Sequence, residues 1–128
     1  MHPPEIRIKR AYEPAGPKDG FRVLVDRLWP RGIAKHTLRI DYWLKNAAPS
    51  TELRKWFNHE PEHWAQFRKA YLAELRGHKD DLRSMLRDAA SNNITLIYGA
   101  RDEKHNHAIV LREYLKRLRA RPSLRRRA

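Results

Sequence analysis

The apolar positions of the chain follow two rhythms, one of period two and one of helical period. Ile6 and Ile8 interleave with Arg7 and Lys9, which predicts a half-exposed strand over residues 5–10. Phe21-Arg22-Val23-Leu24-Val25 and Ile94-Thr95-Leu96-Ile97-Tyr98 are short β-branched runs, suited to strands buried on both faces of a parallel sheet. Tyr42-Trp43-Leu44 predicts a further short strand, and a short helix or turn fits around 35–40. Residues 13–20, rich in Pro and Gly, read as a loop.

The helical rhythm occupies the remainder. Ser50 is placed as an N-cap, with Leu53, Trp56 and Phe57 on one face of the helix it opens. Pro61 suits the first turn of the next helix, which turns Trp64, Phe67, Tyr71 and Leu75 inward. Gly77 is expected to close that helix in a left-handed conformation. Leu82, Met85, Leu86 and Ala89 mark another helix, ending near Asn92-Asn93. A last helix runs from near Asn106 to about Arg119, with Leu111, Tyr114, Leu115 and Leu118 inward. Strands alternating with helices predict one α/β domain over residues 1–119, a small, mainly parallel sheet of about four strands flanked by helices. The helices of 50–90 would supply a crossover between parallel strands.

Composition narrows the class. The chain has 128 residues, a single domain's worth, and no cysteine. That excludes a disulfide scaffold, a cysteine zinc site, an iron–sulfur cluster and a thiol nucleophile. No apolar run reaches membrane-spanning length and the N-terminus is unlike a signal peptide, so a soluble cytoplasmic protein with no membrane partner is expected. The formal net charge is +13, of which +7 falls in residues 112–128. Residues 120–128 read as a basic, disordered tail, interrupted by Pro122-Ser123. Such a tail serves either phosphate attraction, with nucleic acid as partner, or solubility alone.

Candidate chemistry gathers where the two buried strands end. In open α/β sheets, ligands lie beyond the carboxyl ends of the strands. Here one strand runs into Asp26-Arg27-Leu28-Trp29-Pro30-Arg31-Gly32. The other runs into Tyr98-Gly99-Ala100-Arg101-Asp102, then His105-Asn106-His107 at a helix start. Parallel strands would bring both loops to one edge. The predicted ligand-binding set is Arg27, Trp29, Arg31, Tyr98, Gly99, Arg101, Asp102 and Asn106. Arginine forks match phosphate or carboxylate oxygens, Gly99 permits close backbone approach, and a helix start after Asn106 favours an anion. Asp26 and His107 are the candidate proton-transfer groups. The structural alternatives are equally physical: Asp26 pairing with Arg27 or Arg101, Asn106 acting as a helix cap, and Trp29 anchoring its loop instead of stacking on a ring.

These same blocks carry a resemblance. Residues 23–33, Val-Leu-Val-Asp-Arg-Leu-Trp-Pro-Arg-Gly-Ile, resemble the opening signature of the YeaO-like proteins, a bacterial DUF488 family. Trp43-Leu44-Lys45, Ala48-Pro49-Ser50, Leu53-Arg54 and Trp56-Phe57 are similar to its middle pattern. Ile94–Ala100 with Asp102 and Asn106-His107-Ala108 are similar to its closing block. The resemblance spans roughly residues 5–118 and implies a compact cytoplasmic α/β domain without supplying an activity. Related members carry a Cys-His pair where this chain has Asn106-His107, so no thiol chemistry of theirs transfers here.

Other motifs point elsewhere and fail. His59-Glu60-Pro61-Glu62-His63 fits His-Glu-x-x-His, but Pro61 denies the pair a continuous helix, so no metal is expected. His105 and His107 are too close in sequence to share a helix face, and a polar role near the helix start is the plainer reading. Trp56 and Trp64 stand at core spacing. Glycine-rich phosphate loops and dinucleotide fingerprints are missing, so no cofactor is expected. Three functions follow: binding of a small anionic or nucleotide-like ligand at the strand ends, nucleic-acid association through basic surface and tail, or hydrolysis or transfer on a phosphorylated substrate.

Overall fold

The computed structural model describes residues 4–120. Four strands form one fully parallel sheet in the order β1-β4-β2-β3, with β1 Ile6–Arg10, β2 Phe21–Leu24, β3 Tyr42–Trp43 and β4 Ile94–Tyr98. The register pairs Ile6 through Arg10 with Ile94 through Tyr98, and Phe21 through Leu24 with Ile94 through Ile97. Five helices accompany it: α1 Lys35–Leu38, α2 Thr51–Phe57, α3 Trp64–Arg76, α4 Lys79–Ala89 and α5 His107–Ala120. This is the small α/β fold the pattern predicted. The basic tail lies outside the described residues, Ala120 apart.

The two sheet faces are covered differently. Val23, Val25, Leu96 and Tyr98 point into the main core, which α3, α4 and α5 close with Phe67, Tyr71, Leu75, Leu82, Met85 and Leu111. Leu24 and Ile97 point to the opposite face, where a small cluster of Ala11, Leu38, Trp29, Ile33, Ile40 and Trp43 covers them. That second layer contains only the one-turn α1. The rest is chain connecting β1 to β2 and β2 to β3.

A buried charge cluster does the work that a helix would do there. Asp19, at the end of the β1–β2 connection, is 5% exposed. Its carboxylate accepts from Lys9 Nζ at 2.8 Å, from the Gly16 N–H at 3.0 Å and from the Arg22 guanidinium. Arg22 spends its remaining donors on the carbonyls of Leu38 and Arg39. Thr95 Oγ1 donates to the Asp19 carbonyl at 2.7 Å. The connection is thus fastened to β1, β2 and β4 together. Burial alone would push the Asp19 carboxyl up, but Lys9, the Gly16 N–H and Arg22 outweigh it and hold the carboxyl below its ordinary value.

Gly20 completes the entry to β2. Its φ is +67°, and a Cβ there would stand 2.3 Å from the Asn93 carbonyl oxygen, the acceptor of the Phe21 N–H.

Several local expectations are corrected. Gly77 ends α3 in right-handed backbone, φ −82° and ψ −4°, because its N–H turns back to Glu74 and α4 follows at once. The chain leaves α4 at Ala90, which has φ 54°, before Asn92-Asn93 is reached. Trp56 is 42% exposed and stacks on His63 at 4.3 Å, since α2 is only two turns long and Leu53 with Phe57 already fill its inner face. Trp64 is half-buried.

Two stability outcomes follow. Asp19→Asn leaves Arg22 buried without its counter-charge and is expected to cost about 3–5 kcal/mol in urea unfolding. Because the folded Asp19 carboxyl lies below its unfolded value, its stabilisation is complete above the ordinary carboxylate range and fades as pH falls through the lower folded value. The variant's unfolding midpoint should therefore lose that part of its acid dependence. Gly20→Ala should lower stability by more than about 1 kcal/mol, read as a drop in Tm with unchanged far-UV circular dichroism at low temperature.

Candidate functional site

Because all four strands are parallel, the loops after β2 and β4 emerge on the same edge. Between them and α2 lies a crevice of about 720 Å³. Asp26, Arg27, Trp29 and Arg31 line it from the first loop, and Gly99, Asn106 and His107 from the second.

Asp26 ties the edge together. Its Oδ2 accepts from the Gly99 N–H at 2.9 Å, joining the end of β2 to the end of β4. A Cβ on Gly99 would lie 3.0 Å from that oxygen, so the glycine is what allows the approach. The other oxygen, Oδ1, lies 3.0 Å from His107 Nε2 at the start of α5. That nitrogen also lies 3.1 Å from the Val25 carbonyl. Facing two acceptors, Nε2 carries the proton. The N–H is directed at Val25, so Oδ1 receives no directed hydrogen bond among the described residues. Asp26 thus partners Gly99 and His107, in place of Arg27 or Arg101.

The remaining predicted residues divide. Arg27 donates from Nη2 to the carbonyls of Ala48 and Pro49, 3.2 Å each, while its buried Nε has no partner among the described residues. Trp29 anchors its loop: Nε1 donates to the Ile33 carbonyl at 2.6 Å and the ring meets Trp43 edge-on at 5.6 Å. Trp43 Nε1 in turn holds the Asp26 carbonyl at 2.7 Å. Arg31 is exposed at the rim, and its carbonyl accepts from Tyr12 Oη. Asn106 is buried, caps α5 through Oδ1 to the Ile109 N–H, and donates to the Asp102 carbonyl.

Tyr98, Arg101 and Asp102 lie outside the crevice lining. Tyr98 points into the core, where burial pushes its phenol up. Arg101 is exposed. Asp102 shapes the loop instead: its carboxylate accepts the Lys104 and His105 N–H groups and His105 Nδ1 at 2.9–3.0 Å. The Lys104 N–H bond above all, with His105 added, holds that carboxyl below its ordinary value against the opposing cost of burial. This arrangement delivers His105 to the crevice.

Sequence reasoning missed the wall opposite. Thr51, Arg54, Lys55 and Asn58 are one polar face of α2, and with His59 they line the crevice. The signal was present as the i, i+3, i+4, i+7 spacing of those residues. The same spacing marks an ordinary solvated helix face, so it does not by itself distinguish a crevice wall. Ser50 fixes the wall in place. Its Oγ caps α2 by accepting from the Leu53 N–H, and both its N–H and its hydroxyl donate to the Glu74 carboxylate on α3, at 2.9 and 2.6 Å. Asn58 and His59 then adopt φ of 48° and 56°, two successive left-handed residues without glycine, at the crevice mouth. Among the lining residues Arg27, Arg31, Arg54 and Lys55 face one carboxylate, Asp26. Phe57, Phe67, Pro30 and Pro49 back the crevice as buried residues, and Leu28, 70% exposed, is the open apolar side chain of its lining.

The family model described as "Inactive DUF488-N3 subclade" matches residues 5–126. The chain belongs to this DUF488 subclade. Among its DUF488 relatives, the Escherichia coli K12 "Uncharacterized protein YeaO" is 48% identical over 113 residues, spanning 88% of this chain and 98% of that protein. The Mycobacterium tuberculosis H37Rv "Uncharacterized protein Rv3073c" is 40% identical over 111 residues, 86% of this chain and 92% of its own length. No solved structure matches the chain. Among the described residues of this DUF488 domain, no helix is long and apolar enough to cross a membrane. No group of three or more His, Asp or Glu among them is placed to hold a metal ion.

Asp26→Ala should cost about 1–3 kcal/mol by leaving the Gly99 N–H unpaired at the strand ends. Chemical denaturation checks the value. A variant as stable as the parent would show that the loops hold without this carboxylate.

Proposed function

We propose that this DUF488 domain is a cytoplasmic binding protein for a small anionic ligand, taken up in the crevice at the strand ends. The carrying observation is the charge of the lining: four fixed cations against one carboxylate that is already engaged with Gly99 and His107. The volume of about 720 Å³ suits a small molecule. Arg31, Arg54 and Lys55 are exposed at the rim, free to meet oxygens of phosphate or carboxylate without disturbing the core. Binding is favoured over turnover because Asp26 and His107 are occupied in joining β2, β4 and α5. The description of the subclade as inactive agrees with that preference. The cytoplasmic part of the reading rests on the resemblance to the YeaO-like proteins.

Thermal unfolding of the full chain with inorganic pyrophosphate, at constant ionic strength, tests the reading. Stabilisation should follow ligand concentration, about 2.7 kcal/mol at a hundred times Kd. Combined Arg31→Ala, Arg54→Ala and Lys55→Ala should abolish it and leave the unliganded Tm nearly unchanged, since all three side chains are exposed. An equal ligand response in parent and variant would remove the crevice from consideration.

A further inference from the structure

The lining of the crevice includes open apolar surface that a small anion leaves unused. Among the described residues three large apolar side chains stand exposed, Tyr12, Leu28 and Trp56, and two of them, Tyr12 and Leu28, line this crevice. Trp56 has the His63 ring stacked on it. Leu28 belongs to neither apolar cluster of the fold. A braced loop holds it in the open: Trp43 Nε1 donates to the Asp26 carbonyl before it, and Trp29 Nε1 donates to the Ile33 carbonyl after it. Arg31, Arg54 and Lys55 are exposed as well, and none of them takes part in a salt bridge among the described residues. They stand on two supports, the loop after β2 and the helix α2. The occupant that matches carries several negative charges and an apolar group together.

Charge and ring geometry narrow the choice. A second copy of this chain has the wrong sign at net charge +13, and so have its own residues 121–128, which hold four arginines and no acid. A nucleic-acid strand has the right sign, but such strands are held by bases stacked on open aromatic rings. Here Arg10 lies over the Tyr12 ring at 5.2 Å, Trp29 meets Trp43 edge-on, and Trp56 is stacked on His63. The side chain left fully open is aliphatic, and it offers no stacking platform. An acidic stretch of polypeptide supplies carboxylates for the cations and an aliphatic side chain for Leu28, and clustered cations are a recurrent reader of acidic motifs. We propose that the rim of the crevice docks an acidic segment of another protein, with carboxylates on Arg31, Arg54 and Lys55 and an aliphatic side chain on Leu28. This goes beyond the small-anion reading. The two occupants share the cations and compete for them, whereas Leu28 serves the docked segment alone.

Selection of random 12-residue peptides displayed on phage, against the immobilised full chain, tests the proposal. Enriched peptides should combine clustered Asp or Glu with Leu, Ile or Val. Fluorescence anisotropy then measures the most enriched peptide at physiological ionic strength. Leu28→Ser should weaken it about ten-fold, and should leave both Tm and the stabilisation by pyrophosphate as in the parent. Replacing the aliphatic residues of the peptide by Ser should weaken binding to the parent about as much and binding to Leu28→Ser hardly at all. Arg54→Ala with Lys55→Ala should weaken peptide and pyrophosphate alike. The docking proposal is overturned by a lack of enrichment, by enrichment of peptides without acidic residues, or by a peptide that binds Leu28→Ser as tightly as the parent. The pyrophosphate response then decides the small-anion site separately. A labelled 12-nucleotide single strand that binds more tightly than the peptide, and loses affinity in Leu28→Ser, assigns the rim to nucleic acid and overturns the proposal as well.

Discussion

The carboxylate of Asp19 is the fixed point of this small sheet. The connection from β1 to β2 must cross β4 to reach its place, and it does so without a helix. Ten residues of irregular chain cannot bury enough apolar surface to hold themselves against a sheet, so polar contacts carry the load. One buried anion gathers Lys9 from β1, Arg22 from β2 and the Gly16 N–H from the connection itself, while the Asp19 carbonyl receives Thr95 from β4. An ion pair in such a place is exacting in geometry, because each unpaired charge would be costly. It therefore fixes which strand lies beside which.

That order has a chemical result. With β4 and β2 adjacent and parallel, their following loops share one edge, and Asp26 can reach the Gly99 N–H across it. The edge is braced by the Gly99 N–H on the Asp26 carboxylate and by Trp43 Nε1 on the Asp26 carbonyl. The opposing wall is carried by α2, which is bound to α3 through Ser50 and Glu74. Cations that would repel one another on a flexible loop are here mounted on two braced supports with an open space between them.

The strands were legible because β-branched runs and alternation are local signals, and the parallel sheet followed from their spacing along the chain. The convergence of the two loops on one crevice was legible for the same reason, as strand ends in a parallel sheet share an edge. Its far wall was not. The polar face of α2 has no local signature that separates a crevice lining from a solvated surface; only the packing of α2 against α3 decides it. Trp56 was misplaced by the same limit, since helical spacing assigns a face without saying how much of that face the core can accept. The positive φ expected at Gly77 is found instead at four residues that are not glycine, Arg39, Asn58, His59 and Ala90.

The outer strands of the sheet are unequal. The strand β3 is two residues long, and Lys45 just beyond it lies over the Trp43 ring at 4.2 Å. At the other margin β1 carries Arg7 and Arg10. Unpaired margins invite other chains to extend a sheet, and short strands with cationic side chains oppose it by geometry and by repulsion between copies. A four-stranded sheet with one thin face is thereby guarded against growing into a fibre, since positive charge at its margins keeps neighbouring molecules apart.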